Sequence, residues 1–131
     1  MTLPTLLSNK PIPPAERLIF ALDVPSPTLA RELVETLGEA VRFYKIGLEL
    51  FMAGGYFELI EWLRARDKKV FVDLKFFDVP ETVRSAVRQL EPYGATFATV
   101  HGNDAILRAA VEAARESGDE LGILAVTALT S

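Results

Sequence analysis

Two carboxylates and one ammonium group stand close together near the end of an apolar run, at Asp73, Lys75 and Asp78. Successive side chains of a β-strand point to opposite faces, so Asp73 and Lys75 share one face. Burying both charges is costly unless they pair, and such clusters are enriched at active sites. The ammonium can supply a proton to a reacting carbon, and a carboxylate can be placed against an anionic substrate group.

The same aspartates could instead bind a metal ion, because carboxylate oxygens are ligands that Mg²⁺ uses in proteins. Lys75 lies between Asp73 and Asp78 in the sequence and supplies positive charge itself. The residues therefore favour a metal-free site, with a magnesium site left open as the alternative.

The elements that must position these groups follow an alternating pattern. Residues 1–17 are rich in proline and are predicted to be an irregular lead-in. Beyond them, apolar runs predict strands at 18–23, 41–47, 69–75, 95–101 and 121–126. Helix-start signals and helical spacing predict the helices between them, beginning at Ser26 or Thr28, near residue 55, at Pro80 and at Asn103 or Asp104. Strands that alternate with helices in this way predict a parallel sheet with crossover helices.

Polar residues collect at the carboxyl ends of all the predicted strands. They are Asp23, Lys45, Asp73, Lys75, His101, Thr127, Thr130 and Ser131. Any one of them alone would be an ordinary turn, cap or structural residue. Together they mark the edge at which parallel α/β enzymes keep their chemistry, and they predict a functional rim there.

Two architectures fit the pattern, an open doubly wound sheet and a closed eight-stranded barrel. A complete barrel needs about 250 residues. The 131 residues supply only about four and a half strand–helix units, and the sequence ends directly after a strand. We therefore expect a fragment of a longer protein or a shortened chain.

Composition narrows the classes of function. The chain is 50% hydrophobic with a formal net charge of -4, which fits a soluble domain and argues against a nucleic-acid partner. It has no cysteine, which suits a cytoplasmic location. No apolar run approaches the roughly 20 residues of a membrane span, and the N-terminus lacks a secretory signal.

Five ordered sequence blocks resemble orotidine 5′-phosphate decarboxylases across essentially all of residues 18–131. The blocks are Ala21–Asp23, Tyr44–Gly47, Asp73–Thr82, Val100–Gly102 and Val126–Ser131. The third block has the specific pattern D-x-K-x-x-D-[IV]-P-x-T. The resemblance implies a (β/α)₈ barrel, of which residues 18–131 form the N-terminal half. It also implies the conversion of orotidine 5′-monophosphate to UMP and CO₂ in pyrimidine biosynthesis, with no metal and no organic cofactor.

The resemblance also implies roles for individual residues. Lys75 would donate the proton to C6 of the pyrimidine, and Asp73 would lie beside the substrate carboxylate. Lys45 would complete the charge network and contact the ribose, while Asp23 would hold a ribose hydroxyl. The remaining implied substrate contacts are Asp78, Thr82, Thr130 and Ser131. His101 matches a family position without an assigned role.

The implied active unit is a homodimer, in which Asp78 and Thr82 reach the neighbouring site. Phe77 and Val79 are mild departures, since relatives often have histidine and isoleucine there. The serious departure is the absence of the phosphate-binding loop, which in this family comes from the last strands of the barrel. In such enzymes, binding of the phosphate group, which is remote from the reacting carbon, contributes much of the transition-state stabilisation. This chain alone is therefore expected to be a poor catalyst or inactive. Its exposed strand edges are also expected to make the chain prone to aggregation or poorly folded unless something covers them.

Two alternatives remain open at this point. One is a magnesium-dependent sugar-phosphate lyase of the same superfamily, whose relatives share an aspartate–lysine–aspartate strand. The other is a non-catalytic half-barrel that assembles with itself or with a missing partner.

Overall fold

The chain folds around one parallel sheet of five strands, seen in a computed structural model that describes residues 9–118 and 120–130. The strands are β1 (Phe20–Ala21), β2 (Phe43–Gly47), β3 (Lys69–Phe76), β4 (Phe97–His101) and β5 (Gly122–Val126). The helices are α1 (Pro27–Leu37), α2 (Leu48–Ala53), α3 (Tyr56–Ala65), α4 (Pro80–Leu90) and α5 (Asp104–Glu116). Within the described ranges, no helix is long and apolar enough to cross a membrane.

The order of the strands decides between the two predicted architectures. The strands pair in chain order, β1 to β5, and every pairing is parallel. A doubly wound sheet reverses its strand order at a switch point, whereas a barrel adds each strand beside the last. The predicted parallel barrel-type fold is therefore confirmed, here as five consecutive strands.

The core lies between the sheet and its helices. One set of alternating strand side chains is almost fully buried and packs against the helices, and it includes Tyr44, Ile46, Val70, Val72 and Ala98. The opposite face carries a second, smaller set of aromatic contacts. There Phe97 stacks on Phe43 at 5.8 Å and meets Phe71 edge-on at 5.9 Å. Both faces of the sheet are therefore apolar at mid-strand, as buried parallel strands require.

Local sequence signals explain where the helices begin. The Ser26 side chain accepts a hydrogen bond from the backbone N–H of Leu29 at 3.2 Å, with Pro27 in the first turn of α1. Asn103 caps α5 in the same way, through Ile106 N–H at 3.1 Å. Of the alternatives predicted for the two caps, the structure therefore shows Ser26 and not Thr28, and Asn103 and not Asp104.

β3 departs from regular pairing just where its charged residues stand. It follows β4 in register up to Val72 opposite Ala98, and pairing resumes only at Phe76 opposite Val100. The three residues 73–75 of β3 therefore lie opposite the single residue Thr99 of β4, which makes a bulge. Within it, Lys75 has a positive φ of 50°, an uncommon conformation for a residue with a Cβ.

The amino ends of the strands are held by two lysines. Lys68 is buried, and its ammonium donates hydrogen bonds to the carbonyls of Gly38 at 2.8 Å and Val41 at 3.0 Å. Lys69 pairs with Glu16 of the lead-in at 2.7 Å. These contacts tie the turn after α1 and the lead-in to the start of β3.

Candidate active site

Two ammonium groups converge on one carboxylate at the carboxyl ends of β2 and β3. Lys75 Nζ lies 3.0 Å from Asp73 Oδ2, and Lys45 Nζ lies 3.5 Å from the same oxygen. Asp73 stands opposite Gly47 in the register, so Lys45 reaches it from two residues earlier on β2. The shared face predicted for Asp73 and Lys75 is therefore realised as a direct ion pair.

The second oxygen of Asp73 is held by β4. Thr99 is buried, and its hydroxyl donates to Asp73 Oδ1 at 2.8 Å. The same hydroxyl oxygen accepts a hydrogen bond from the backbone N–H of Lys75 at 3.0 Å. Both oxygens of the carboxylate therefore have partners, and one threonine connects Asp73 to the backbone of Lys75.

The surroundings keep Asp73 ionised. Burial alone raises its pKa, but the hydrogen bonds from Lys75 and Thr99 and the charges of Lys75 and Lys45 outweigh burial. The net result is a pKa for Asp73 below the usual carboxyl value. At neutral pH the cluster is thus a carboxylate flanked by two cations.

The two lysines remain partly open to solvent. The Lys45 and Lys75 side chains are 31% and 37% exposed, whereas that of Asp73 is 11% exposed. A ligand arriving at the rim would meet the ammonium groups first and the carboxylate beneath them. This arrangement can bind an anion, place a proton donor beside it and hold a fixed negative charge nearby.

Other predicted site residues lie outside this cluster. Asp78 and Thr82 are exposed at the start of α4, and Asp78 Oδ1 accepts a hydrogen bond from the N–H of Val79 at 2.7 Å. Asp23 and Thr130 are exposed after β1 and β5, without a side-chain hydrogen bond or ion pair to the rest of the described chain. Ser131 lies outside the described residues.

His101 ends β4 beside the cluster. Its ring meets Phe77 edge-on at 5.4 Å between centroids. Its Nδ1 atom is buried and finds no hydrogen-bond partner among residues 9–118 and 120–130. The structure therefore places His101 on the predicted rim, in contact with the segment that carries Asp78.

Sequence analysis missed Thr99, although a signal for it existed. Thr99 precedes His101 by two positions, so the two-residue period of a strand places both on one face. A hydroxyl at the centre of an apolar strand needs a partner when it is buried. That partner could have been sought on the neighbouring strand, at Asp73.

No three His, Cys, Asp or Glu side chains of the described part of the chain cluster in a way that could hold a metal ion.

Comparison with known proteins places this chain in a family. The sequence pattern of the orotidine 5′-phosphate decarboxylase / HUMPS family matches residues 16–131. Two curated relatives, each named orotidine 5′-phosphate decarboxylase, are similar to the chain. The one from Methylococcus capsulatus is 66% identical over 129 residues, covering 98% of this chain and 52% of the relative. The one from Xanthomonas axonopodis pv. citri is 52% identical over 128 residues, covering 95% and 51%.

Solved structures agree with the sequence relatives. Orotidine 5′-phosphate decarboxylase from Lactobacillus acidophilus is similar with a TM-score of 0.79 and 33% identity, covering 88% of this chain and 54% of that one. An uncharacterized conserved protein from Geobacillus kaustophilus is similar with a TM-score of 0.78 and 32% identity. The chain spans about half the length of the relatives it matches. It belongs to the orotidine 5′-phosphate decarboxylase / HUMPS family.

Proposed function

We propose that this chain supplies the N-terminal half of a barrel that converts orotidine 5′-monophosphate to UMP and CO₂. The observation that carries this proposal is the Lys45–Asp73–Lys75 cluster at the carboxyl ends of the strands. The names of the similar proteins supply the substrate and the reaction class.

The proposed chemistry uses the two kinds of charge in the cluster. When the carboxylate on C6 of the pyrimidine leaves as CO₂, the electron pair of the broken bond remains on C6. The Lys75 ammonium stabilises that developing charge and then transfers its proton to C6, which leaves a neutral amine. Asp73 lies beside the substrate carboxylate in this scheme, and its negative charge disfavours the bound substrate relative to the state that has lost CO₂.

Lys45 and Asp23 are proposed to contact the ribose. Lys45 already shares Asp73 Oδ2 with Lys75, so its ammonium can bridge the network and a sugar hydroxyl. Asp23 is exposed after β1, the strand that pairs with β2. Thr130 and Ser131 are proposed as further substrate contacts after β5.

The proposed active unit is a homodimer, in which Asp78 and Thr82 act in the neighbouring site. Both residues are exposed, and Asp78 forms no ion pair among the described residues, which supports a role outside their own site. The same region carries unusually exposed apolar side chains, which suit a surface covered by a second copy. Phe77 is 68% exposed and Val79 62%.

Turnover of orotidine 5′-monophosphate, followed by ultraviolet absorbance, tests the proposed reaction. Because the chain spans half of its relatives, we would assay it alone and fused to the portion of the Methylococcus capsulatus relative outside the matched region. We expect turnover from the fusion, little from the chain alone, and no dependence on Mg²⁺ in the presence of a chelator. Turnover of orotidine 5′-monophosphate that the chelator abolishes would overturn the metal-free scheme. A folded fusion that does not turn over orotidine 5′-monophosphate would favour the two alternatives, the magnesium-dependent sugar-phosphate lyase and the non-catalytic half-barrel.

Lys75→Ala is the variant that tests the proton donor. We expect it to abolish turnover of the fusion and to leave the fold largely intact. Lys69→Ala is the matched control, since Lys69 belongs to the same strand but pairs with Glu16 at the opposite end. Near-native rates from Lys75→Ala would refute the assigned donor.

Mixing two inactive variants tests the shared site. If Asp78 acts in the neighbouring site, a hybrid dimer of Lys75→Ala and Asp78→Ala subunits contains one site with both residues intact. Activity should therefore return on mixing, to about one quarter of the native value for random pairing. Sedimentation of the same samples measures the assembly. A monomer, or no recovery on mixing, would exclude the shared site.

A further inference from the structure

We propose that Thr99 is a positioning residue of this reaction, which fixes the Asp73 carboxylate and the Lys75 backbone with one hydroxyl. This inference rests on the proposed function and assigns a residue outside the charged cluster itself. The proposal depends on the bulge in β3 and on the two hydrogen bonds that meet at the Thr99 side chain.

The backbone of Lys75 requires support. Its φ of 50° lies in the left-handed region, which costs a residue with a Cβ about 1 kcal/mol or more. Regular pairing between β3 and β4 is interrupted from Val72 to Phe76, so the regular backbone hydrogen bonds between strands do not fix the conformation of Lys75. The hydrogen bond from Lys75 N–H to Thr99 Oγ1, at 3.0 Å, is the contact that holds it.

The hydroxyl is also the group that orients Asp73. A threonine hydroxyl has one proton to donate and lone pairs that accept. Its proton goes to Asp73 Oδ1 at 2.8 Å, while its oxygen accepts from Lys75 N–H. Donating to the carboxylate polarises the oxygen that accepts, so the two bonds strengthen each other.

Reaction geometry depends on this link. Asp73 Oδ2 is the atom to which the Lys75 ammonium bonds, and Thr99 fixes the other oxygen of the same carboxylate. Rotation of the carboxylate or relaxation of the Lys75 backbone would move the ammonium away from the carbon to which it donates its proton. Misplacement on the scale of 1 Å costs about a hundredfold in rate.

Thr99→Val separates the hydroxyl from the shape of the side chain. Valine keeps the branched shape but can neither donate to Asp73 nor accept from Lys75. Thr99→Ser retains the hydroxyl and should keep kcat and the pKa of Asp73 close to those of the native protein. Thr96→Val is the control, because Thr96 lies just before the same strand and its hydroxyl has no hydrogen bond within the described chain. Thr99→Ala removes the hydroxyl with less crowding, and it replaces Thr99→Val if that variant does not fold.

Two measurements then decide the proposal. Steady-state kinetics of the fusion should show kcat reduced about ten- to a hundredfold by Thr99→Val, with KM changed by less than about threefold. Carboxyl titration by NMR in the 131-residue chain should show a higher pKa for Asp73 in Thr99→Val than in Thr99→Ser or Thr96→Val. Unchanged kcat, or equal losses from the valine and serine variants, would overturn the positioning role.

The two measurements also separate this inference from the proposed function. An inactive fusion whose Asp73 titration still responds to Thr99→Val would overturn the proposed reaction and support the link between Thr99 and the carboxylate. An Asp73 titration unaffected by loss of the hydroxyl would overturn the link, whatever the turnover.

Discussion

Neutralising Asp73 is the most direct physical test of the cluster. Asp73→Asn keeps the shape of the side chain and removes the charge that faces the Lys75 and Lys45 ammonium groups at 3.0 and 3.5 Å. A hydrogen bond to a charged group contributes about 1.5–3 kcal/mol, but both lysines are about one-third exposed, and solvent screening reduces that value. Burial of the carboxylate reduces the net stabilisation further, because burial disfavours the charged form. We therefore expect the free energy of unfolding to fall by about 1–2 kcal/mol at neutral pH.

The sign of the pH dependence follows from the direction of the pKa shift. The pKa of Asp73 is lower in the folded chain than its ordinary value of about 3.9 in the unfolded chain. The stabilisation is therefore fully present above about pH 4 and is lost as the pH falls through the lower folded pKa. The difference in stability between the native chain and Asp73→Asn should shrink over that acidic range.

Urea unfolding measures this difference with a built-in probe. The chain has one tryptophan, Trp62, and its ring lies 3.7 Å from the guanidinium carbon of Arg66. Its fluorescence, together with far-ultraviolet circular dichroism, reports whether the transition is two-state. Asp23→Asn is the matched control, because Asp23 is exposed and has no ion pair within the described residues.

Two results would refute this account of Asp73. If Asp73→Asn were as stable as the native chain at neutral pH, or more stable, burial would outweigh the two ion pairs. If the loss persisted unchanged in acid, it would come from packing and not from the charge.

Three further substitutions test contacts that support the fold around the sheet. Tyr56→Phe removes a buried hydrogen bond of 2.8 Å to the carbonyl of Ile46 and should lower the free energy of unfolding by about 1 kcal/mol, measured by urea unfolding. Lys68→Met leaves two backbone carbonyls without their donor and should cost about 1–3 kcal/mol in the same assay, whereas an unchanged urea midpoint would show that water replaces the ammonium. Gly102→Ala would place a methyl group 2.6 Å from Ile106 Cδ1 at a φ of +139°, so thermal unfolding should show a loss of about 2 kcal/mol, and a native melting temperature would contradict the close contact.

The sequence predicts the elements of this fold well because their signals are local. A serine and a proline mark the start of α1, and an asparagine marks the start of α5. Boundaries shift by a few residues, most at β1, which was predicted at 18–23 and pairs only through Phe20–Ala21. The helix α2 (Leu48–Ala53) was not predicted, because six residues directly after a strand give too little helical period to recognise.

The details of the site are harder to predict because they depend on contacts between strands. Period-two alternation predicts that Asp73 and Lys75 share one face, and their ion pair shows that the two side chains meet. The bulge that follows Val72 has no such signal, since lysine gives no warning of a positive φ. The partnership of Thr99 with Asp73 depends on register across β3 and β4, which a single sequence does not specify.

The charge of the cluster connects the fold to the proposed dimer. Lys45 and Lys75 share one oxygen of Asp73, so the Lys45–Asp73–Lys75 cluster of a single chain holds one more positive than negative charge. An excess ammonium in a partly buried site favours an anion beside it. Asp78 is an aspartate without a cationic partner among the described residues of its own chain, and it lies next to the exposed side chains of Phe77 and Val79. If a second copy places its Asp78 beside this cluster, two carboxylates alternate with two ammonium groups and the cluster becomes neutral. A single chain should then bind small anions other than the substrate at this cluster more tightly than the assembled dimer does.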